Sequence, residues 1–252
     1  MFEVDASRYD RFMGRYSAML SAQLADLAGV RSGWHVLDVG CGPGALTAEL
    51  VRRVGADHVA AIDPSASFVG AARQRFPGVD VREASAEAIP FRDKAFDATL
   101  AQLVVHFMQD PVAGIREMAR VTRPGAPVVA CVWDHAGGRT PIGAFWSAAQ
   151  ALDPSAAGEA NLAGAHQGHL VELFRAAGLH DVEESVVTAD REVASFDDWW
   201  QPIESAAGPV GAYFGKLPPE ERARIREAAR QRLTDGPFTI LARAWAARGT
   251  VA

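Results

Sequence analysis

Seven short apolar runs, separated by stretches of helical periodicity, constrain this chain more than any other feature. They read HVLDV at 35–39, HVAAI at 58–62, VDVRE at 79–83, FDATLA at 96–101, PVVACVW at 127–133, DVEESVVT at 181–188 and PFTILARAWA at 237–246. Most are continuous enough to be buried on both faces, which predicts strands of a parallel sheet covered on each side. Between them, Leu46, Leu50 and Val54 recur at helical spacing, as do Phe68, Ala72 and Phe76, and Val112, Ile115 and Ala119. Such stripes cover a sheet as crossover helices. Arg123-Pro124-Gly125 stops the third of these, since proline cannot continue a helix and glycine accepts a positive φ. The alternation predicts an α/β fold, a doubly wound, mostly parallel sheet of seven strands in a single domain of 252 residues. Three pieces fall outside it and are candidates for a helical cap: residues 1–33, the Gly, Ala and Pro-rich stretch 134–166, and 190–235 between strands six and seven.

The first strand runs into VLDVGCGPGALTAEL, an aspartate followed by alternating glycines and a helix. In a doubly wound sheet, ligands bind beyond the carboxyl ends of the strands, where the strand order reverses. Gly40, Gly42 and Gly44 lie there, and the helix after them starts with unpaired N–H groups. Gly40, Gly42 and Ala45 satisfy the dinucleotide spacing G-x-G-x-x-G/A, with Asp63 about 20 residues on to take ribose hydroxyls. Asp38 argues against a pyrophosphate, because a carboxylate favours nearby positive charge and repels negative. A ligand with a cationic ammonium or sulfonium and a neutral ribose fits better. Asp63 followed by Pro64 also reads as a helix start, with the aspartate as cap.

The pattern Asp38-x-Gly40-x-Gly42-x-Gly44 resembles the first motif of the class I S-adenosylmethionine-dependent methyltransferases, a Rossmann-like family. The likeness continues through AAIDPS at 60–65, SAEAIPFRDKAFDATLAQLVVHFMQDP at 85–111 and REMARVTRPGAPVVACVW at 116–133. It is strongest between 34 and 133. It implies that Asp63 takes both ribose hydroxyls, Pro64 follows it in the site, and Gln102 and Leu103 border the sulfonium. Ser85 stands where family members often carry an adenine-binding aspartate, with Ala86 offering its backbone N–H. Serine accepts that bond more weakly, or Glu83 or Glu87 substitutes. SRYDRFMGRYS at 7–17 and FDDWW at 196–200 are similar to cap segments of bacterial small-molecule members, which puts Tyr9 or Tyr16 over the methionine end.

The remaining candidates are weighed against plainer roles. His106 follows the fourth strand and could act as a general base on the acceptor, since its ordinary pKa suits proton removal at neutral pH; a packed or capping histidine in a short helix is the plainer reading. Trp133, Trp146 and Trp200 could line an apolar acceptor pocket, with core packing the plainer reading for at least two tryptophans. His135, His166 and His169 have no ligand spacing, and no metal is expected. Cys41 and Cys131 read as reduced thiols.

The formal charge of −6, with 22% charged residues and no basic cluster outside short helical segments, argues against nucleic acid. No apolar run approaches a membrane span, and the first residues do not read as a secretory signal, so the expectation is a cytoplasmic monomer or homodimer. The resemblance implies transfer of a methyl group from S-adenosylmethionine, leaving S-adenosylhomocysteine, to a small-molecule acceptor through an O or C nucleophile. The alternatives are an NAD(P)-dependent oxidoreductase and a non-catalytic cofactor-binding regulator.

Overall fold

The computed structural model describes residues 13–204 and 208–252. Its sheet has seven strands: β1 Val36–Val39, β2 Val59–Asp63, β3 Asp80–Glu83, β4 Ala98–Gln102, β5 Pro127–Trp133, β6 His180–Val193 and β7 Phe238–Thr250. The strand order is β3-β2-β1-β4-β5-β7-β6. All pairs among β1 to β5 are parallel, whereas β7 runs antiparallel to both β5 and β6. The order reverses between β1 and β4, so a ligand crevice is expected at their carboxyl ends.

Helices α1 Arg15–Leu27, α2 Ala45–Val54, α3 Ala66–Arg75, α4 Pro111–Val121 and α6 His169–Ala176 flank the sheet. α5 Gly143–Leu152, α7 Phe196–Glu204, α8 Gly208–Phe214 and α9 Pro219–Arg230 build the cap. The boundaries follow local chemistry. Ser65 caps α3 by accepting from the Phe68 N–H, and Asp110 caps α4 by accepting from Ala113 ahead of Pro111. α4 ends at Val121, and Gly125 has φ +76° in the turn that follows.

The two-residue period of the central strands sorts their side chains onto two faces. Val36, Leu100, Val129, Cys131 and Trp133 join the core beneath α1, α2 and the cap. Leu37, Val39, Ala101, Val128, Ala130 and Val132 join the core beneath α4 and α6. By the same parity Asp38 and Gln102 belong to the first face, so acid, amide and Trp133 share one side of the sheet at its carboxyl end.

Two expectations are corrected. β6 continues through Ala189 to Val193 rather than ending at 188, so the helical insert begins after residue 193 and not at 190. The cause is an edge strand with one wet face: Asp190 and Glu192 are exposed while Ala189 and Val193 are buried, and a polar alternation looks like a strand's end. Asp63 also does not cap α3. Pro64 lies ahead of the cap, and Asp63 instead accepts the Ser65 N–H through Oδ1 at 2.9 Å.

Candidate active site

The glycine turn is bolted to the neighbouring strand. The N–H groups of Gly40 and Cys41 both donate to the Ile62 carbonyl, at 2.8 and 2.9 Å. Gly40, Gly42 and Gly44 have φ of +70°, +53° and +96°, where an L side chain is strained. Two of them also lack room. A Cβ on Gly40 would lie 2.4 Å from a Val104 methyl, and one on Gly44 would lie 2.3 Å from the Phe76 ring. Gly42 differs: a Cβ there would meet nothing within 4 Å, so it faces open space. Gly44 gives α2 no side-chain cap, which leaves the helix N-terminus to a ligand or solvent.

Two carboxylates frame the turn. Asp38 is 1% exposed; its Oδ2 accepts the Thr47 hydroxyl at 2.6 Å, and its Oδ1 has no hydrogen-bond partner among the described residues. Burial pushes its pKa up to about 7, against the opposing pull of the Thr47 bond. Asp63 accepts the Gly42 N–H at 2.9 Å through Oδ2, and burial raises its pKa as well. Each of its oxygens keeps a second lone pair for a hydroxyl.

Across the reversal point lies the end of β4. Gln102 is buried and donates through Nε2 to the Ser17 carbonyl of α1 at 2.9 Å, leaving Oε1 without a partner. Leu103 takes φ +60°, a left-handed conformation that sequence reasoning could not anticipate for a leucine. Val104 then meets Gly40, and His106, itself buried, follows in the 3-10 turn Val105–Phe107. Ala86 is buried beside α4 and Ser85 is half-buried. Of the two acids that could replace an aspartate at Ser85, Glu87 is committed: its Oε1 accepts the Gln109 N–H at 2.8 Å. Glu83 is exposed at the end of β3, in register with Asp63.

Among the described residues, seven buried side-chain N or O atoms lack a partner, and five of these lie at this end of the sheet: in Asp38, Gln102, His106, Trp133 and His135. Buried polar groups are normally satisfied, so such a cluster marks where a ligand's polar groups belong.

The aromatic candidates divide. Trp133, 2% exposed, leaves its indole N–H unpartnered at the end of β5. Trp200 is not a pocket residue: it is 1% exposed, stacked on Phe196 with ring centroids 5.6 Å apart, and its N–H is held by Glu204. It is the cap's own core, because a helix hydrophobic at Phe196, Trp199, Trp200 and Ile203 must bury that face. Trp146 is 8% exposed in the same cluster and donates to Glu159 at 2.7 Å. Tyr16 is buried where α1 meets α7, beside Arg15, Pro141 and Trp199, with the Arg191 guanidinium 5.9 Å from its ring. Tyr9 lies outside the described residues. Sequence reading missed Thr47, His135 as a site residue, and Glu159, whose only signal would have been an acid in an otherwise apolar, Gly/Ala-rich stretch. No group of three metal-ligating side chains occurs among the described residues, and no helix among them is long and apolar enough to cross a membrane.

The sheet order and the acid-flanked glycine turn define a Rossmann-like methyltransferase fold. Residues 37–130 match the methyltransferase domain family. A demethylmenaquinone methyltransferase of Mycobacterium sp. (strain KMS) is 38% identical over 138 residues, 52% of this chain and 57% of that protein. A malonyl-[acyl-carrier protein] O-methyltransferase of Erwinia billingiae is 33% identical over 124 residues, 49% of this chain and 48% of that protein. The chain thus spans about half the length of these curated relatives. Among solved structures, geranyl diphosphate C-methyltransferase from Streptomyces coelicolor, in complex with S-adenosyl-L-homocysteine, superposes with a TM-score of 0.56 at 15% identity, covering 95% of this chain and 80% of that one. Residues 37–130 thus resemble a methyltransferase domain, and the whole chain shares its fold with S-adenosylmethionine-dependent methyltransferases.

The residues present fit that cofactor. A buried carboxylate oxygen with no partner suits an ammonium group. A second carboxylate with free lone pairs suits two ribose hydroxyls, and Gly42 leaves the backbone open for close approach.

Proposed function

We propose that this protein transfers a methyl group from S-adenosylmethionine to a small-molecule acceptor through an oxygen or carbon nucleophile. The observation that carries the reading is Asp38, a buried carboxylate with one oxygen unpartnered beside a glycine turn that faces open space. The same acid disfavours the pyrophosphate of a nicotinamide dinucleotide. In this reading Asp38 and Gly40, Gly42 and Gly44 hold the amino-acid end, Asp63 with Pro64 the ribose, Ser85 and Ala86 the adenine, and Gln102 and Leu103 border the sulfur. Tyr16 belongs to the wall supplied by α1.

The cofactor supplies a methyl group already activated on a sulfonium. The chain's part is then to align a nucleophile, exclude water and take up a proton where the acceptor carries one. Alignment alone contributes on the order of 7–11 kcal/mol in favourable intramolecular reactions. Support for an O or C nucleophile comes from the two relatives, one named for demethylmenaquinone and the other as an O-methyltransferase. Trp133 and His106 are the acceptor-side residues of this reading, which places the enzyme in the cytoplasm as a monomer or homodimer.

The test is calorimetric titration with S-adenosylhomocysteine, with NAD and Asp63→Ala as controls, followed by transfer of labelled methyl to a panel containing a naphthohydroquinone, a carboxylic acid thioester and tRNA. Micromolar binding, about −8 kcal/mol, lost in Asp63→Ala and followed by labelling of a small acceptor is the expected result. Binding of NAD alone, or labelling of tRNA alone, overturns the reading.

A further inference from the structure

Behind the carboxyl ends of β4 and β5 the fold gathers three titratable side chains that the glycine turn does not use. His106 is buried with Nδ1 unpartnered, and His135, whose side chain is 3% exposed, has Nε2 unpartnered. Their rings are neighbours, tilted at 57° with centroids 5.7 Å apart. On its far side His135 Nδ1 lies 3.9 Å from Glu159 Oε2, and that same oxygen accepts the Trp146 indole N–H at 2.7 Å. The three come from separate parts of the chain: the turn after β4, the end of β5 and the loop between α5 and α6.

We propose that His106, His135 and Glu159 form one proton path, in which His106 takes the proton of an acceptor hydroxyl, His135 passes it inward and Glu159 holds it. This rests on the methyl-transfer reading above. The acceptor's O–H bond breaks and its electron pair stays on the oxygen, which for an enol or phenol activates the adjoining carbon. The proton bonds to His106 Nε2 while the Nδ1 proton moves to His135 Nε2, and the His135 Nδ1 proton moves to Glu159 Oε2. One carboxylate charge disappears as one acceptor charge forms, so no net charge is created in the buried site. Glu159 returns the proton to solvent, and both imidazoles exchange back to their Nδ1–H tautomers, before the next cycle. The 3.9 Å separation of His135 Nδ1 from Glu159 Oε2 is of the kind that tightens when a ligand closes the site, and the path requires the two imidazoles to draw together in the same way.

The surroundings support the direction of flow. Burial lowers the pKa of His106 to about 3 and of His135 to about 4, so both imidazoles are neutral near pH 7. Burial raises Glu159 to about 7, against the Trp146 bond, which makes it the member of the three that titrates in the neutral range. The other charged or titratable groups against the path are Asp134, held at 2.7 Å by Arg243, and Tyr213, whose ring lies 5.5 Å from Trp146. Burial raises Tyr213, and the arginine keeps Asp134 ionised, so neither titrates near pH 7.

The test is 15N spectroscopy of histidine-labelled full-length protein between pH 5.5 and 8.5, with S-adenosylhomocysteine calorimetry on the same samples. Expected is one shared transition near pH 7 in the nitrogens of His106 and His135, absent in Glu159→Gln while ligand affinity stays within about twofold. Trp146→Phe moves that transition to higher pH, and gives the same information should Glu159→Gln fail to fold. With whichever small acceptor the labelling panel reveals, kcat/KM rises with pH through about 7 in the parent and is flat there in Glu159→Gln. Histidine nitrogens that do not sense Glu159, or a pH limb retained in Glu159→Gln, overturn the proposal. Loss of S-adenosylhomocysteine binding in the parent would instead overturn the methyl-transfer reading, leaving the titration to be judged by itself.

Discussion

Asp38 sits in surroundings that a carboxylate tolerates poorly, and its cost has a pH signature. Its folded pKa, about 7, lies above the ordinary 3.8, so the unfolded chain releases its proton first and stability falls as pH rises through that interval. Asp38→Asn removes the penalty. Its melting temperature is expected to gain on the parent between pH 5 and pH 8, by free energies on the order of a few kcal/mol, while S-adenosylhomocysteine binding is lost. An unchanged difference across that range would mean the acid is not buried in its charged form. The glycines separate in the same way. Gly42→Ala meets open space and costs only the left-handed strain, roughly 1–2 kcal/mol, so it folds and fails to bind. Gly40→Ala adds a collision with Val104 and costs roughly 2–5 kcal/mol in sum. Chemical denaturation of the two variants checks the order.

At the scale of elements, α1 and the cap are tied to the sheet by a few directed bonds. Gln102 joins β4 to α1 through Ser17, and Trp199 joins α7 to the loop after β5 by donating to the Pro141 carbonyl at 2.8 Å. Gln102→Leu is expected to keep the fold, lower stability by about 1–2 kcal/mol and accelerate amide exchange selectively in α1; uniform acceleration would show that the bond is not the tie. These elements also show what a sequence does and does not reveal. The inner parallel strands β1, β2, β4 and β5 were readable because every residue in them is buried and most are apolar. The end of β6 was not, since an edge strand alternates like a loop. The glycine turn and its two acids announced themselves through local spacing. Glu159 and His135 could not, because their meeting depends on how β5 and the α5–α6 loop pack, and no local period encodes that. Trp200 looked like a ligand contact for the opposite reason: tryptophan supplies area equally well to a pocket or a core, and only burial distinguishes them.

Over the whole molecule, buried acids and buried histidines oppose each other. His106 and His135 resist protonation when folded, so they subtract stability as pH falls below 6.5; Asp38 and Glu159 resist ionisation, so they add stability over much of the same range. The two slopes nearly cancel between about pH 4.5 and 6.5, and the melting temperature is expected to be almost flat there. Replacing both histidines by asparagine should expose the acids' slope, with melting temperature falling as pH rises from 5 to 7. A parent curve that already falls steeply would show the histidines to be accessible to protons.

The order of residues along the chain has one more consequence. Asp38, the glycines, Asp63, Ser85 and Gln102 all precede residue 107, whereas His135, Trp146, Glu159 and the helices of the cap all follow residue 133, with β5 as the seam. In the proposed reading, cofactor recognition and most of acceptor handling, with His106 the exception, are thus written on consecutive lengths of polypeptide. A recombination that replaces the second length while keeping β5 and the β6–β7 hairpin would graft a new acceptor preference onto an unaltered methyl source, so the architecture lets one inherited trait vary while the other stays fixed.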